Sequence, residues 1–211
     1  MLETETVHIV DDDPGVRDAL RVFLESVGYA VQTHDGAEDF LAVAATAAGC
    51  VLTDVRMPGV DGLELQRRLS GLGTRLAVIL MTGQADVPIA VRAMKAGAVD
   101  FLEKPVDEQP LLDAVQRALA ASRRLLDEAS AVAEAGKLLA RLTPRERDVL
   151  DLLAAGLPNK AVANKLGISP RTIEVHRARI LEKLEVSSLP ELVRIVLAAN
   201  DDHMGDKLSA R

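Results

Sequence analysis

The stretch VHIVDDDPG, residues 7–15, decides how the first half of the chain folds. Its first four residues are mostly apolar and β-branched, which is typical of a short buried strand, and Pro14 favours the first turn of a helix. Three carboxylates lie between the two. Asp13 is placed to cap the helix, but a cap needs one acid and not three. The stretch therefore predicts a strand that carries acidic side chains at its carboxyl end.

Four further runs of this kind follow at intervals that leave room for helices. They cover residues 30–33, 50–53, 77–81 and 99–102. The segments between them carry apolar residues at helical spacing. Strands that alternate with helices predict a parallel sheet with helices on both faces. Because crossovers are right-handed, we expect an α/β flavodoxin-like sheet with strand order 2-1-3-4-5.

This strand order places the ends of the first and third strands side by side. Open α/β sheets bind ligands at the carboxyl ends of the strands beside such a switch point. The first strand ends in Asp11, Asp12 and Asp13, and the third ends in Asp54. Carboxylates that share a cleft repel each other unless a cation binds, and Mg²⁺ is a hard ion that prefers oxygen ligands. We therefore predict a Mg²⁺ site at this edge of the sheet.

Two more polar residues follow the fourth and fifth strands. Thr82 alone could be a helix cap, and Lys104 alone could lie on a solvated loop. Together with the acids they supply a nucleophile, a metal site and a fixed positive charge. Phosphoryl transfer to a carboxylate requires these three groups. The bond between Lys104 and Pro105 is also a candidate for a cis peptide.

These motifs resemble the signature of the receiver domain. The resemblance covers roughly residues 4–122 and rests on VDDD at 10–13, DVRMPGVDG at 54–62, MTG at 81–83 and KP at 104–105. It implies that Asp54 accepts a phosphoryl group from a sensor histidine kinase. The run VPIAVRAMKAGAVDF, residues 87–101, resembles the FixJ subgroup of response regulators especially closely.

The resemblance also assigns roles to the other residues of the site. Mg²⁺ would be bound by Asp11, Asp12, Asp54 and the backbone carbonyl of Arg56. The phosphoryl group would be contacted by Thr82 and Lys104, and the aromatic switch residue would be Phe101. A Phe101 that belongs simply to the core is the alternative.

A long helix is predicted from Asp107 to about Arg141, because Gly and Pro are scarce there. The helix is interrupted at most near Gly136. Its apolar residues follow a weak heptad pattern at Leu112, Val115, Leu119, Leu126, Ala129 and Ala133. This pattern fits either a coiled coil that dimerises or a solvated linker helix with one packed stripe.

The last third of the chain carries the signals of a small helical bundle. Thr143, Pro144 and Glu146 form the pattern of a capping box that begins a helix. A short second helix is expected over residues 159–166, a third from the Ser169 cap to about Leu184, and a fourth over residues 189–199. Two helices joined by a tight turn that contains glycine are typical of a helix-turn-helix.

The stretch SPRTIEVHR, residues 169–177, gives this bundle a function. Residues 139–199 resemble the LuxR-type helix-turn-helix domain of the NarL/FixJ family, which implies binding to double-stranded promoter DNA. The predicted DNA contacts are Lys160, Arg171, Thr172, Glu174, Val175, His176, Arg177 and Arg179. A solvated helix with ordinary ion pairs is the alternative, and His176 could be either a residue beside the DNA backbone or a half-buried helix residue.

Charge and composition agree with two domains that have different partners. Residues 1–136 carry 12 Lys and Arg against 22 Asp and Glu, whereas residues 137–211 carry 13 against 10. Four aromatic residues and no tryptophan make base stacking an unsuitable mode of binding. The single Cys50 and the lack of a long apolar run indicate a cytoplasmic protein without a membrane partner.

We therefore predict a receiver domain over residues 1–122, a helical linker over 123–138 and a DNA-binding domain over 139–211. The protein would be a response regulator and not an enzyme. Phosphorylation of Asp54 would drive homodimerisation through the receiver, and the dimer would regulate transcription, with activation through RNA polymerase expected. A phosphorylation-independent regulator with a vestigial receiver is the alternative. A phosphatase is disfavoured because the Asp-x-Asp-x-Thr motif is absent near Asp54.

Overall fold

The computed structural model describes the backbone of residues 5–83 and 87–208, and the side chains of residues 5–83, 87–188 and 190–199. The chain divides into two units, residues 1–126 and 127–211. The buried apolar residues form two clusters in the first unit and one in the second. Each unit therefore has a hydrophobic core of its own.

Five apolar runs form one parallel sheet in the first unit. The strands are β1 (Thr6–Val10), β2 (Ala30–His34), β3 (Gly49–Asp54), β4 (Ala77–Thr82) and β5 (Asp100–Glu103). Their order is β2-β1-β3-β4-β5, and every neighbouring pair is parallel. Each strand agrees with its predicted bounds to within one residue at either end. The predicted flavodoxin-like order is confirmed.

Helices cover both faces of the sheet. They are α1 (Pro14–Ser26), α2 (Ala37–Val43), α3 (Gly62–Gly71), α4 (Val87–Lys95) and α5 (Glu108–Leu139). Side chains alternate along each strand, so Val7 and Ile9 pack with α1 and α5, whereas Val10 packs with α2 and α3. The sheet is thus buried on both faces, as a parallel sheet requires.

Helix α5 continues through Gly136 without an interruption. Val115 and Leu119 are buried on the sheet, as their heptad positions predict. Ala133 is exposed, and Ala135 and Leu139 are buried in its place. None of residues 123–134 is buried, so the predicted heptad positions do not mark a continuous buried stripe along α5.

Four helices form the second unit. They are α6 (Pro144–Ala154), α7 (Asn159–Leu166), α8 (Pro170–Lys183) and α9 (Leu189–Leu208). The capping box at Thr143 and Glu146 is present, and Ser169 caps α8. Gly167 ends α7 with a φ of 66°, a left-handed conformation that glycine adopts readily. The fourth helix extends beyond its predicted end at residue 199.

Two histidines and a phenylalanine form a buried aromatic cluster in the first unit. His8 Nδ1 lies 3.4 Å from His34 Nε2, and His34 Nδ1 lies 3.1 Å from the Asp39 carboxylate. Both imidazole rings pack against Phe40, with ring centroids 5.1 and 4.9 Å away. Burial lowers the pKa of His8 to about 4, and the neighbouring His34 contributes to the shift. The fold therefore holds His8 in its neutral form.

We expect mild acid to destabilise the first unit through His8. Below pH 6.5 the unfolded chain binds a proton at His8, whereas the folded chain does so only near pH 4. The free energy of unfolding should therefore fall as the pH drops through this range, by roughly 2 kcal/mol at about pH 5. Urea unfolding followed by the fluorescence of Tyr29 measures the first unit alone, because Tyr29 is the single tyrosine and the chain has no tryptophan.

The control is the His8→Leu variant, which removes the titrating group. Its free energy of unfolding should depend less on pH between about 7.5 and 5 than that of the wild type. Equal losses in the two proteins would assign the acid sensitivity to other groups.

Candidate functional site

Three carboxylates meet at the carboxyl edge of the sheet. Asp11 follows β1 and is fully buried, Asp54 ends β3 and is partly buried, and Asp12 is exposed. Each of them places a carboxylate oxygen within 4.8 Å of the others. They line an open cleft of about 470 Å³ together with Arg56 and Lys104. The acids are therefore close enough to share one cation.

The ammonium of Lys104 lies between two of these acids. Its Nζ is 2.6 Å from Asp11 Oδ2 and 3.3 Å from Asp54 Oδ2. The Lys104 backbone N–H donates to the Thr82 carbonyl at 2.7 Å, which continues the pairing of β4 and β5 past the strand end. The peptide bond between Lys104 and Pro105 is cis, as anticipated. The sheet itself thus delivers Lys104 to the acidic cluster.

The chain segment after β1 holds Asp11 in position. The Asp13 backbone N–H donates to Asp11 Oδ1 at 3.0 Å, and Arg17 donates to the Asp11 carbonyl at 2.5 Å. The Asp13 side chain accepts from the N–H groups of Gly15 and Val16 and so caps α1. Asp13 therefore acts as the predicted helix cap, while Asp11 and Asp12 remain available to a ligand.

Burial raises the pKa of the Asp54 carboxyl, Lys104 opposes the rise, and Asp11 adds to it. Within the cluster, three carboxylates face one ammonium, so negative charge is in excess. Oxygen donors of this kind are the ligands that hard divalent cations prefer. The residues present therefore fit a bound Mg²⁺ ion.

Gly62 closes the turn that follows Asp54, a role that the sequence motif did not reveal. Its N–H donates to the Val55 carbonyl at 3.0 Å, and a Cβ at this position would lie 2.2 Å from the Asp54 carbonyl oxygen. The start of α3 thus packs directly on the backbone of Asp54. Only a residue without a side chain fits there.

Thr82 and Phe101 are less close to the cleft than the acids. Thr82 is buried at the end of β4, and its neighbour Gly83 lines the cleft. Phe101 is half-buried on β5, beside Leu80 of β4, and packs against the core on the α2 and α3 face. The structure thus brings Asp11, Asp12, Asp54, Arg56 and Lys104 together, whereas Thr82 and Phe101 are not among the residues that line the cleft.

The predicted DNA contacts lie on two helices of the second unit. Lys160 is on α7, and the other seven residues are on α8, whose buried side contains Ile173 and Ile180. Those with exposed side chains are Lys160, Arg171, Thr172, Glu174, Val175 and Arg179. The Arg171 Nη1 atom lies 3.7 Å from Glu174 Oε2, and the Arg171 side chain is nevertheless 90% exposed. Basic side chains are thus accessible on α8.

Arg177 and His176, both predicted DNA contacts, are half-buried. Arg177 lies four residues after Ile173 and three before Ile180, so it borders the buried stripe of α8. The Nδ1 atom of His176 is buried and has no hydrogen-bond partner among the described residues. His176 therefore has one buried ring nitrogen, while part of the residue stays exposed on α8.

Glu146 connects the start of α6 to the end of α8. It is buried and accepts from the Thr143 N–H at 2.9 Å, the Thr143 hydroxyl at 3.0 Å and the Lys183 ammonium at 2.6 Å. These contacts lower the pKa of Glu146 to about 2, and the hydrogen bond from Lys183 makes the largest contribution. The capping box was predictable from local spacing, whereas the contact with Lys183, 37 residues away, was not.

Comparisons with known proteins identify both units. The sequence model of the response regulator receiver domain matches residues 7–116, and that of the luxR family of bacterial regulatory proteins matches residues 140–196. The transcriptional regulatory protein FixJ of Azorhizobium caulinodans is 50% identical over 200 residues, which are 94% of this chain and 95% of that protein. The chain belongs to the FixJ-type response regulators.

Solved structures agree with this assignment. The response regulator StyR has a TM-score of 0.78 at 42% identity, with 92% of this chain and 98% of StyR covered. Full-length FixJ from B. japonicum has a TM-score of 0.55 at 44% identity, with 93% and 97% covered. This FixJ-type regulator is therefore a two-component transcriptional regulator with a receiver and a LuxR-type DNA-binding domain. Transcriptional regulator families of this kind are not enzyme families. Among the described residues, no helix is long and apolar enough to cross a membrane.

We expect Gly62→Ala to destabilise the receiver of this regulator. The added methyl group would meet the Asp54 carbonyl, and overpacking of this kind costs about 1 to 3 kcal/mol. Gly71→Ala, on the same helix, is the control because its Cβ would meet no atom within 4 Å. It should be neutral or stabilising by up to about 1 kcal/mol. Urea unfolding followed by Tyr29 fluorescence measures both, and equal stability of the two variants would contradict the packing argument.

Proposed function

We propose that phosphorylation of Asp54 by a sensor histidine kinase switches this regulator. The observation that carries the proposal is the convergence of three carboxylates and Lys104 in one open cleft. Asp54 is partly exposed at this cleft, so a phosphohistidine can approach it. The fixed charge of Lys104 is already 3.3 Å from the attacking carboxylate.

The reaction is an in-line transfer from phosphohistidine to Asp54. An Asp54 oxygen forms a bond to phosphorus while the bond from phosphorus to the imidazole nitrogen breaks, and that nitrogen keeps the electron pair. Lys104 favours the charged, nucleophilic form of Asp54 against the effect of burial. Asp11, Asp12, Asp54 and the carbonyl of Arg56 would hold Mg²⁺, which offsets negative charge on the phosphoryl oxygens.

The response to phosphorylation would begin at Thr82 and Phe101. Thr82 would contact the phosphoryl group at the end of β4, and Phe101 would move inward on β5. Both changes would alter the surface formed by α4, β5 and α5, which exposes Val87, Val91 and Met94. Apolar side chains exposed together are typical of a protein interface. The regulator would therefore form a homodimer through this surface.

The dimer would bring two copies of α8 to promoter DNA. The contacts would be made by Lys160, Arg171, Thr172, Glu174, Val175, His176, Arg177 and Arg179. Residues 137–211 carry a small excess of positive charge, 13 basic against 10 acidic residues, so one copy would bind weakly. A second copy raises the effective concentration of the first and thus the occupancy of the site. We propose that the bound dimer activates transcription with RNA polymerase in the cytoplasm. The proposed domains are a receiver over residues 1–122, a helical linker over 123–138 and a DNA-binding domain over 139–211.

The phosphorylation switch is tested with a small phosphodonor, acetyl phosphate, in the presence of Mg²⁺. We expect wild-type protein to gain one phosphoryl group and to shift from monomer towards dimer, since the switch acts through Asp54. Asp54→Ala should do neither. Mass spectrometry measures the modification, and light scattering after size-exclusion chromatography measures the size.

The matched control is Asp61→Ala, which removes a carboxylate that caps α3 and does not belong to the acidic cluster. This variant should still be modified. Equal dimerisation of wild type and Asp54→Ala with and without donor would instead indicate a phosphorylation-independent regulator with a vestigial receiver.

DNA contacts are tested with duplexes selected by the protein from a pool of random sequence. Arg171→Ala and Arg179→Ala should each lower affinity by about fivefold or more, because a lost base or phosphate contact costs about 1 to 3 kcal/mol. Fluorescence anisotropy at several salt concentrations measures both affinity and its salt dependence, which phosphate contacts make steep.

The control for charge is Arg147→Ala, which removes an arginine paired with Asp151 on α6, outside the predicted contact set. Its affinity should stay within about twofold of the wild type. Equal losses in all three variants would show that total charge, and not the α8 surface, sets the affinity.

A further inference from the structure

Helix α4 is held by few buried contacts. Among its nine residues, Ala93 alone is fully buried. The side chains of Val87, Val91 and Met94 are exposed by 72%, 46% and 47%. An element with so little buried apolar surface has a low free energy of local opening. Whatever contact is made at Ala93 therefore has a large influence on the position of α4.

Gln66 makes that contact from helix α3. Its side chain is buried, and Nε2 donates to the backbone carbonyl of Ala93 at 3.0 Å. The same carbonyl accepts from the N–H groups of Ala96 at 3.1 Å and Ala98 at 3.0 Å, which close the C-terminal turn of α4. Gln66 thus attaches α3 to the C-terminal end of α4.

The other end of the Gln66 amide shows that this contact does not serve stability alone. Its Oε1 is buried and has no hydrogen-bond partner among the described residues. A buried acceptor without a partner is destabilising, so an apolar side chain of similar size would avoid a cost. The Ala93 carbonyl would still keep two donors. The glutamine is therefore explained better by where it holds α4 than by a gain in stability.

Helix α4 borders an open cleft. Ile89 and Arg92 of α4 line it on one side, and Val55, Met57 and Leu63 line it on the other. The cleft measures about 480 Å³, and it lies beside the segment that follows Asp54. The residues of α4 before Ala93 therefore face open space beside this segment, while the Ala93 carbonyl is bound by Gln66.

We propose that Gln66 is a positioning residue for the phosphorylation response: it fixes the C-terminal end of α4, so that the helix pivots about Ala93 when Asp54 is modified. The inference rests on the proposed switch for its biological use. The anchor itself is a property of the unphosphorylated protein. With the anchor removed, the C-terminal end of α4 loses its side-chain contact to α3, and its outer surface changes without a phosphoryl signal.

The anchor is tested by hydrogen–deuterium exchange of the full-length protein without phosphodonor. In Gln66→Leu, amides of residues 87–98 should exchange about fivefold faster than in wild type, the factor that one hydrogen bond of typical net strength provides. Exchange in the five strands and the melting temperature should be unchanged or raised. Gln66→Met is a second apolar variant with the same expected result.

Ser70→Ala is the matched control on the same helix. The Ser70 hydroxyl donates to the Gln66 backbone carbonyl at 3.1 Å, so this variant alters α3 without removing the side-chain contact to α4. Its α4 amides should exchange as in wild type. Unchanged exchange of α4 in Gln66→Leu and Gln66→Met, or faster exchange throughout the unit as its melting temperature falls, would overturn the proposal.

The second measurement is the dimerisation constant with and without acetyl phosphate and Mg²⁺. For Gln66→Leu we expect the ratio of the two constants to fall about fivefold, while Asp54 is still modified to the wild-type extent. If wild-type protein is phosphorylated but its dimerisation constant does not change, the proposed switch is wrong. The exchange data would then still decide whether Gln66 anchors α4.

Discussion

The contact of the Lys104 ammonium with Asp11 and Asp54 is the interaction on which the functional part of this molecule depends. Without a cation, two partly or fully buried carboxylates and their exposed neighbour Asp12 would repel each other. The contact requires β5 and β1 to present their ends at the same edge of the sheet, although β5 pairs only with β4. The site therefore depends on the strand order, which places the carboxyl ends of β1, β3 and β5 at one edge of the sheet.

Much of this arrangement could be predicted from the sequence, because it follows from local patterns. β-Branched runs set the strands, and the rule that connects strand order to a switch point placed Asp11 and Asp54 together. The capping box at Thr143 follows from spacing alone. The bounds of β1 to β5 agree with the predicted runs to within one residue at either end.

The features that were missed depend on residues distant in sequence. Gly62 matters because α3 packs on the Asp54 backbone, and no local rule gives that distance. Gln66 and Ala93 are separated by 27 residues, and Glu146 and Lys183 by 37. Tertiary packing determines each of these contacts, and a single sequence does not show which distant residues pack together.

His8 and Glu146, two of the buried acid–base groups, differ in the pH at which they cease to stabilise the fold. His8 in the receiver stops favouring the folded state as the pH falls from 6.5 towards 4, whereas Glu146 in the DNA-binding unit does so only between about 4.5 and 2. Through these groups, moderate acidity weakens the unit that receives the signal before the unit that reads DNA.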